Sequence, residues 1–304
     1  MIRKLSPIQL GGSLYIPAIH KNVHAICNEN KYPTLRSCII DTEDAISEDD
    51  LEDALKNISS MLKDYEPGKL CLFIRPRNPQ ILKKILMIKN IGLIDGFSLP
   101  KFSTEVMREY AQIISTSGKK FYIMPVLESR DLFSIQRLEE IRSFLLTETL
   151  DILTLRLGGE DLMQYLGLKR SCEDNIYDLA GPAQVIGNVI NIFKPYGFNI
   201  SATVFNCINQ DELFKKNVQE DLRQGLIGKT IIHPNQIDPI NETYKVSRQD
   251  FEMATKMLDE STQAIIVHEG QMGEKFAHTL WAKVILQRHN FFGLKEDNEE
   301  KSFL

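Results

Sequence analysis

The sequence predicts an α/β fold: a (β/α)8 TIM barrel with a C-terminal helical extension. Three observations predict it. Eight short apolar runs alternate with segments of helical spacing. The runs are apolar at nearly every position, as parallel strands buried on both faces are. Six of them end in a polar or charged group, and barrel enzymes carry their chemistry at the C-terminal ends of their strands. An open doubly wound sheet explains the alternation but not polar groups contributed by so many strands.

The first run covers residues 13–17, and the second, 37–41, closes on Asp41-Thr42-Glu43-Asp44. Ser47 and an acidic first turn then open the clearest helix, with Leu51, Ala54, Leu55, Ile58, Met61 and Leu62 along one face. The third run, 70–75, closes on Arg75-Pro76-Arg77-Asn78 before helical spacing over 80–89, and the fourth, 94–100, closes on Lys101 before 104–115. The fifth, 121–127, ends at Glu128 before 132–145; the sixth, 151–157, ends at Gly158-Gly159-Glu160-Asp161. A polar loop over 169–180, with Tyr177 and Asp178, precedes a helix over 183–193 that starts near Pro182. Long loops on the catalytic face commonly cover substrate. The seventh run, 199–205, leads to a helix over 210–224, and the eighth, 229–233, ends on His233. The barrel is expected over 1–245. Residues 246–304 are expected to form a helical lid or oligomer contact, with helices over 250–267 and 275–287, a Gly-containing break at 270–273 and a frayed acidic tail over 296–301.

A chain of 304 residues accommodates one barrel of about 250 residues plus an appendage. Its apolar and charged fractions, 43% and 25%, are those of an ordinary globular protein. The net charge of −5 is spread along the chain, which disfavours nucleic acid and anionic membranes as partners. Cys27, Cys38, Cys71, Cys172 and Cys207 show neither a CxxC pair nor zinc-ligand spacing, so they are expected to be reduced, mostly buried thiols. No signal-like N-terminus and no run of about 18 apolar residues is present, so a cytoplasmic protein is expected.

Glu128 and Asp161 end neighbouring strands. Each suits a local cap, yet two unpaired carboxylates at one rim repel each other unless a cation sits between them. Together they suit a hard divalent cation such as Mg²⁺, and Gly158 and Gly159 leave room for backbone to approach a ligand. Arg75 is either a two-pronged clamp for a substrate carboxylate and a developing enolate or an ion-pair partner of the preceding acidic group. Asp41 and Glu43 are candidates for a general base or for orienting Arg75, while Asp44 suits a helix cap. Lys101 is a substrate-binding candidate; it suits an ion pair better than an imine nucleophile. His233 is either a base or a packing residue below the site. The function expected from these residues is enzymatic.

Seven ordered landmarks also carry a resemblance: Ser13-Leu14-Tyr15-Ile16-Pro17, Asp41-Thr42-Glu43-Asp44-Ala45, Ile74-Arg75-Pro76-Arg77-Asn78, Leu99-Pro100-Lys101, Leu127-Glu128-Ser129, Gly158-Gly159-Glu160-Asp161 and Gly228-Lys229-Thr230-Ile231-Ile232-His233-Pro234. Over residues 13–245 they resemble the HpcH/HpaI aldolase and citrate lyase β-subunit superfamily. With Lys31-Tyr32-Pro33, Asp95-Gly96-Phe97 and Ala277-His278-Thr279-Leu280-Trp281, the chain is most similar to the branch described as a C–C bond lyase of the TIM-barrel fold, whose members are often found in bacterial tellurium-resistance gene clusters.

The resemblance implies Mg²⁺ held by Glu128 and Asp161, with Arg75 at the substrate. It further implies reversible carbon–carbon cleavage beside a carboxylate or thioester carbonyl through an enolate, and a homo-oligomer, often trimeric, whose C-terminal helices reach a neighbouring barrel. The superfamily's usual Pro-Gly and arginine-bearing loop for CoA is replaced here by Pro17-Ala18-Ile19-His20-Lys21-Asn22. A small carboxylate or keto acid is therefore the expected substrate, a citryl-CoA- or malyl-CoA-type acyl-CoA the alternative, and a non-catalytic assembly subunit the alternative outside the enzymes.

Overall fold

Parallel strands β1 (Gly12–Pro17), β2 (Ser37–Asp41), β3 (Cys71–Arg75), β4 (Gly96–Leu99), β5 (Tyr122–Leu127), β6 (Asp151–Ile152), β7 (Leu155–Leu157), β8 (Ile200–Ser201) and β9 (Lys229–Ile231) form one sheet in the computed structural model, which describes residues 3–68, 70–259, 265–268 and 270–296. The order is β8-β7-β5-β4-β3-β2-β1-β9, and a parallel bridge between Ala202 and Lys229 joins the two ends. The fold is therefore the expected barrel. Its sixth stave is broken into β6 and β7, which both pair with β5.

Between the staves run helices α1 (Val23–Asn28), α2 (Leu51–Met61), α3 (Pro79–Leu86), α4 (Met107–Thr116), α5 (Ile135–Thr147), α6 (Gly159–Tyr165), α7 (Ala180–Phe193) and α8 (Asp211–Arg223). On α2 the predicted stripe buries Ala54, Ile58 and Met61. The seventh stave is shorter than its apolar run. The carbonyls of Thr203, Val204 and Phe205 are taken by the side chains of Lys229, Arg170 and Gln236, so they leave the strand ladder.

Register sets what the staves bring together. Pro17 pairs with Asp41, and Asp41 with Arg75, so the C-terminal ends of β1, β2 and β3 lie level. Ile39, Phe73, Met124 and Leu153 form a buried cluster with Leu5 and Leu10 of the N-terminal segment. Arg3 on that segment donates to Asp95 and to the Leu70 carbonyl, at the N-terminal ends of β3 and β4. The polar site is thereby left to the other mouth. At Gly96 a Cβ would stand 1.8 Å from the Tyr122 carbonyl oxygen, so this crossing of β4 and β5 admits only glycine.

The expectation of five reduced thiols is corrected. Cys172 and Cys207 form a disulfide with Cα atoms 5.8 Å apart, whereas Cys27, Cys38 and Cys71 are free and buried. Barrel closure places the loops that follow α6 and β8 side by side, a proximity that 35 residues of sequence separation conceals. Alkylation of the denatured protein is expected to label three cysteines without reductant and five with it. Five labelled cysteines without reductant would show the bridge to be open.

The chain divides into two compact units, Met1–Ile237 and Asp238–Leu304, with the border at the start of α9 (Ile237–Tyr244). In the second unit, α10 (Arg248–Leu258) packs on α11 (Lys275–Phe292) through Met253, Ala254, Met257, Ala282 and Ile285. The helix expected over 250–267 stops at Leu258. Residues Ile265–His268 are instead strand β10, paired antiparallel with β11 (Gln271–Glu274). The β-branched run and Gly270, at φ +79°, favour a hairpin over continued helix. Most of the acidic tail expected over 296–301 lies outside the described residues. No helix among the described residues is long and apolar enough to cross a membrane.

Candidate active site

A cavity of about 380 Å³ opens among the C-terminal ends of the staves, and Asp41, Arg75, Glu128, Gly158, Gly159 and Asp161 all line it. Six predicted residues from four staves thus meet in one place. Glu43 and Lys101 do not line the cavity but contact residues that do, Arg75 and Glu128, and His233 is elsewhere: its imidazole Nδ1 accepts the Asn235 N–H and caps the turn after β9.

Arg75 is held on its acidic neighbours. Its Nε and Nη2 donate to the two oxygens of Asp41, each at 2.7 Å, while Nη1 lies 2.7 Å from Glu43 and donates to Asp44 at 3.1 Å. The guanidinium also lies over the Tyr15 ring, 5.0 Å from its centre. The two readings of Arg75 thus merge: it lines the cavity and is also a buried ion-pair partner. Asp41 fixes its plane through a fork-to-fork contact.

Glu43 receives the Lys101 ammonium at 2.7 Å. Burial pushes the Glu43 carboxyl up to about 7, against the pull of Arg75 and Lys101. Lys101 is one of three described non-glycine residues with positive φ, at +48°. In this conformation its backbone N–H donates to Glu128 Oε1 at 2.7 Å. The turn after β4 thereby holds Glu43 by its side chain and Glu128 by its backbone.

Glu128 is 3% exposed. Burial pushes its carboxyl up to about 8, reinforced by the charges of Glu43 and Asp161 and only partly offset by the Lys101 N–H. Burial also raises Asp161, which sits in the first turn of α6. A Cβ on Gly158 would lie 2.3 Å from Glu128 Cβ and 2.6 Å from its Oε2, so Gly158 keeps the space beside that carboxylate clear. No group of three or more His, Cys, Asp or Glu side chains able to hold a metal forms among the described residues. The two carboxylates still suit a hard cation that takes one or two protein oxygens and keeps other positions for water or substrate. A divalent ion there would offset the desolvation that raises both groups and the Asp161 charge that raises Glu128 further.

Tyr15 and Arg156 are among the lining residues outside the sequence-based set. Tyr15 was signalled only as part of the first apolar run. Arg156 is a charge in the middle of Leu153-Thr154-Leu155-Arg156-Leu157; it is 1% exposed and lines the cavity. A lone charge inside a buried strand was its available signal.

Residues 4–294 match the family described as C-C bond lyase of the TIM-barrel fold. The citrate lyase subunit beta of Leuconostoc mesenteroides subsp. cremoris is 23% identical over 255 residues, covering 79% of this chain and 81% of that protein. A (3S)-malyl-CoA thioesterase of Cereibacter sphaeroides is 25% identical over 138 residues, covering 43% of this chain and 46% of that protein. Among solved structures, a citrate lyase from Burkholderia xenovorans LB400 superposes with a TM-score of 0.74 at 13% identity, over 98% of this chain and 96% of that one. Protein CitE from Mycobacterium tuberculosis, in complex with magnesium, acetoacetate and coenzyme A, superposes with a TM-score of 0.66 at 17% identity, over 93% and 99%. With the barrel, its strand-end carboxylates and a match along nearly the whole chain, this protein belongs to the TIM-barrel C–C bond lyase family of the citrate lyase β-subunit superfamily, and it is an enzyme of that carbon–carbon lyase class.

Proposed function

We propose that this chain is a Mg²⁺-dependent carbon–carbon lyase or aldolase that cleaves or forms a bond beside the carbonyl of a small organic acid through an enolate. The observation that carries the reading is the meeting of Glu128 and Asp161 from adjacent staves in one cavity, which Arg75 also lines. The magnesium in the neighbouring CitE structure supports it. Glu128 and Asp161 would hold the ion. When bound, it supplies Lewis-acid stabilisation of negative charge on a substrate oxygen.

The chain's own residues do the rest. Asp41 and the Tyr15 ring hold the Arg75 plane still, so the guanidinium meets the developing charge without first reorganising. Gly158 and Gly159 let the substrate approach backbone, and the apolar walls Ile16, Val126, Leu157 and Ile232 limit water around the reacting carbons. Lys101 holds Glu43, and through its backbone N–H it orients Glu128.

Calorimetric titration of the purified protein with Mg²⁺ tests the reading. Removing a group that merely orients a ligand costs about 10- to 100-fold in metal affinity, so Glu128→Gln is expected to lose roughly 100-fold or more. A variant that binds Mg²⁺ as tightly as the parent removes Glu128 from the metal's coordination and sinks the assignment.

An acyl-CoA substrate is the second reading, supported by the malyl-CoA relative and the CoA-bound neighbour. His20 and Lys21, exposed on the loop after β1, are its candidate contacts. Thermal protection by CoA at micromolar concentration would favour it over a free acid. We further propose a cytoplasmic homo-oligomer, with a trimer favoured. The exposed stripe Phe276, Leu280 and Val284 on α11 supports self-association, and residues 246–304 would supply the contact.

A further inference from the structure

We infer that the Cys172–Cys207 bridge is a thiol–disulfide exchange site at the rim of the cavity: a thiol reductant opens it, frees the loop after β8 and lowers the affinity of the site. The inference goes beyond the lyase reading above and takes from that section only the reducing compartment and the ligand of one readout.

The bridge joins two loops that both border the cavity. Gly159, Glu160 and Asp161, at the start of α6, line one side, and Cys172 lies on the loop that continues from that helix. Val204 and Asn206 line another, and Cys207 follows Asn206 directly. Two residues before Cys172, Arg170 donates through Nη2 to the Val204 carbonyl at 2.9 Å, and its guanidinium lies 5.2 Å from the centre of the Phe205 ring. The loop after α6 therefore holds this lining segment at Val204, Phe205 and Cys207.

Opening the bond affects the two loops unequally. The loop after α6 keeps Arg170 at one end and Asn175 and Tyr177 at the other, where the Asn217 amide donates to Asn175 and the Tyr177 hydroxyl donates to Asp221. The loop after β8 keeps its Phe205 carbonyl on the Gln236 amide at 2.9 Å, but beyond that point Asn206, Ile208, Asn209 and Gln210 are exposed. The bond at Cys207 is thus the covalent tie beside Asn206, and its loss leaves that side of the rim free to move.

Exposure directs the chemistry to this bond. Cys172 is exposed and Cys207 half-buried, whereas Cys27, Cys38 and Cys71 are buried. Burial also pushes the Cys71 thiol up to about 12, so it offers almost no thiolate. In a cytoplasmic protein, as proposed above, thiol reductants act against a bridge, and those that form there serve redox sensing or catalysis. A thiolate of the reductant attacks the exposed Cys172 Sγ and forms a mixed disulfide, while the Cys172–Cys207 bond breaks with its electron pair on Cys207, which takes up a proton. A second thiolate of the reductant then displaces Cys172, which is protonated in turn, and the reductant leaves as its own disulfide. Two electrons and two protons pass to the protein.

The test uses the full-length protein, dithiothreitol as reductant and glutathione disulfide as oxidant. Under native conditions dithiothreitol is expected to open Cys172 and Cys207 to alkylation while Cys27, Cys38 and Cys71 stay protected. Hydrogen exchange over 203–210 is expected to quicken about 10-fold, and affinity for pyruvate in the presence of Mg²⁺ to fall about 10-fold, within the range usual for coupled sites. Glutathione disulfide is expected to restore both. Cys172→Ser is expected to show the reduced protein's values and no response to either reagent. A bridge that millimolar dithiothreitol leaves closed in the folded protein overturns the proposal, and so does a reduced parent that exchanges at the same rate or binds pyruvate as tightly as the oxidised one. Neither result needs the variant to fold. A parent that binds no pyruvate in either state counts instead against the lyase reading, and exchange over 203–210 then decides whether the bridge frees the loop.

Discussion

Gly158→Ala is expected to cut turnover by roughly 100-fold and weaken Mg²⁺ binding while leaving the barrel folded. The new Cβ would stand 2.3 Å from Glu128 Cβ, and both are fixed to backbone: Gly158 donates its N–H to the Leu127 carbonyl at 3.1 Å, between neighbouring staves. Neither Cβ can swing aside as the end of a long side chain would. The methyl therefore drives the Glu128 carboxylate out of position or parts the staves locally. A displacement of about 1 Å at a reacting centre costs roughly 100-fold in rate, and overpacking costs about 1–3 kcal/mol in stability. Steady-state assay with a keto acid, calorimetric Mg²⁺ titration and circular dichroism on the same preparation check the three parts. An alanine variant with parental Mg²⁺ affinity would show that the ion, if bound, does not use Glu128 in the observed position.

The second large effect lies in the barrel wall. Lys229 Nζ donates to the Thr203 carbonyl, Asn217 Oδ1 and Asp221 Oδ2 at 2.8, 2.8 and 2.7 Å, and it is completely buried. Burial lowers the Lys229 ammonium, and the charge and hydrogen bond of Asp221 oppose that shift. Tyr177, on the long loop after α6, donates to the other oxygen of Asp221 at 2.6 Å, and Asn217 donates to Asn175 of the same loop at 3.1 Å. The buried pair thus ties that loop to the eighth stave.

Lys229→Met leaves a buried carboxylate facing one phenol and is expected to cost about 3–5 kcal/mol, read as a lower denaturation midpoint. The double variant Lys229→Met with Asp221→Leu is expected to lose much less than the sum of the two single changes, because no uncompensated charge remains. Additive losses would show that the two side chains contribute independently and that the contact carries little coupling energy.

These consequences divide by what can be read along a chain. The order of staves and helices was legible, because apolar periodicity and strand-end polarity are local properties of the backbone and its side chains. The placement of Glu128, Gly158 and Asp161 at one cavity followed as well, since consecutive staves of a parallel barrel are neighbours and their ends share a mouth. Where the expected pattern failed, a competitor prevailed. The seventh run frays because distant Lys229, Arg170 and Gln236 capture its carbonyls; over 250–267 the competitor is local, a β-branched run and a turn at Gly270 that make a hairpin.

By itself, then, the sequence determined the barrel, its polar mouth and the carboxylate pair there, because each depends on spacing within a strand or between successive strands. The tertiary structure alone decided the Cys172–Cys207 bridge, the clasp of Asp41 on Arg75, the capping role of His233 and the burial of Arg156 in the lumen. The physical reason is that a charge or a thiol takes its character from its partners. Register and closure of the barrel, which no local pattern encodes, choose those partners.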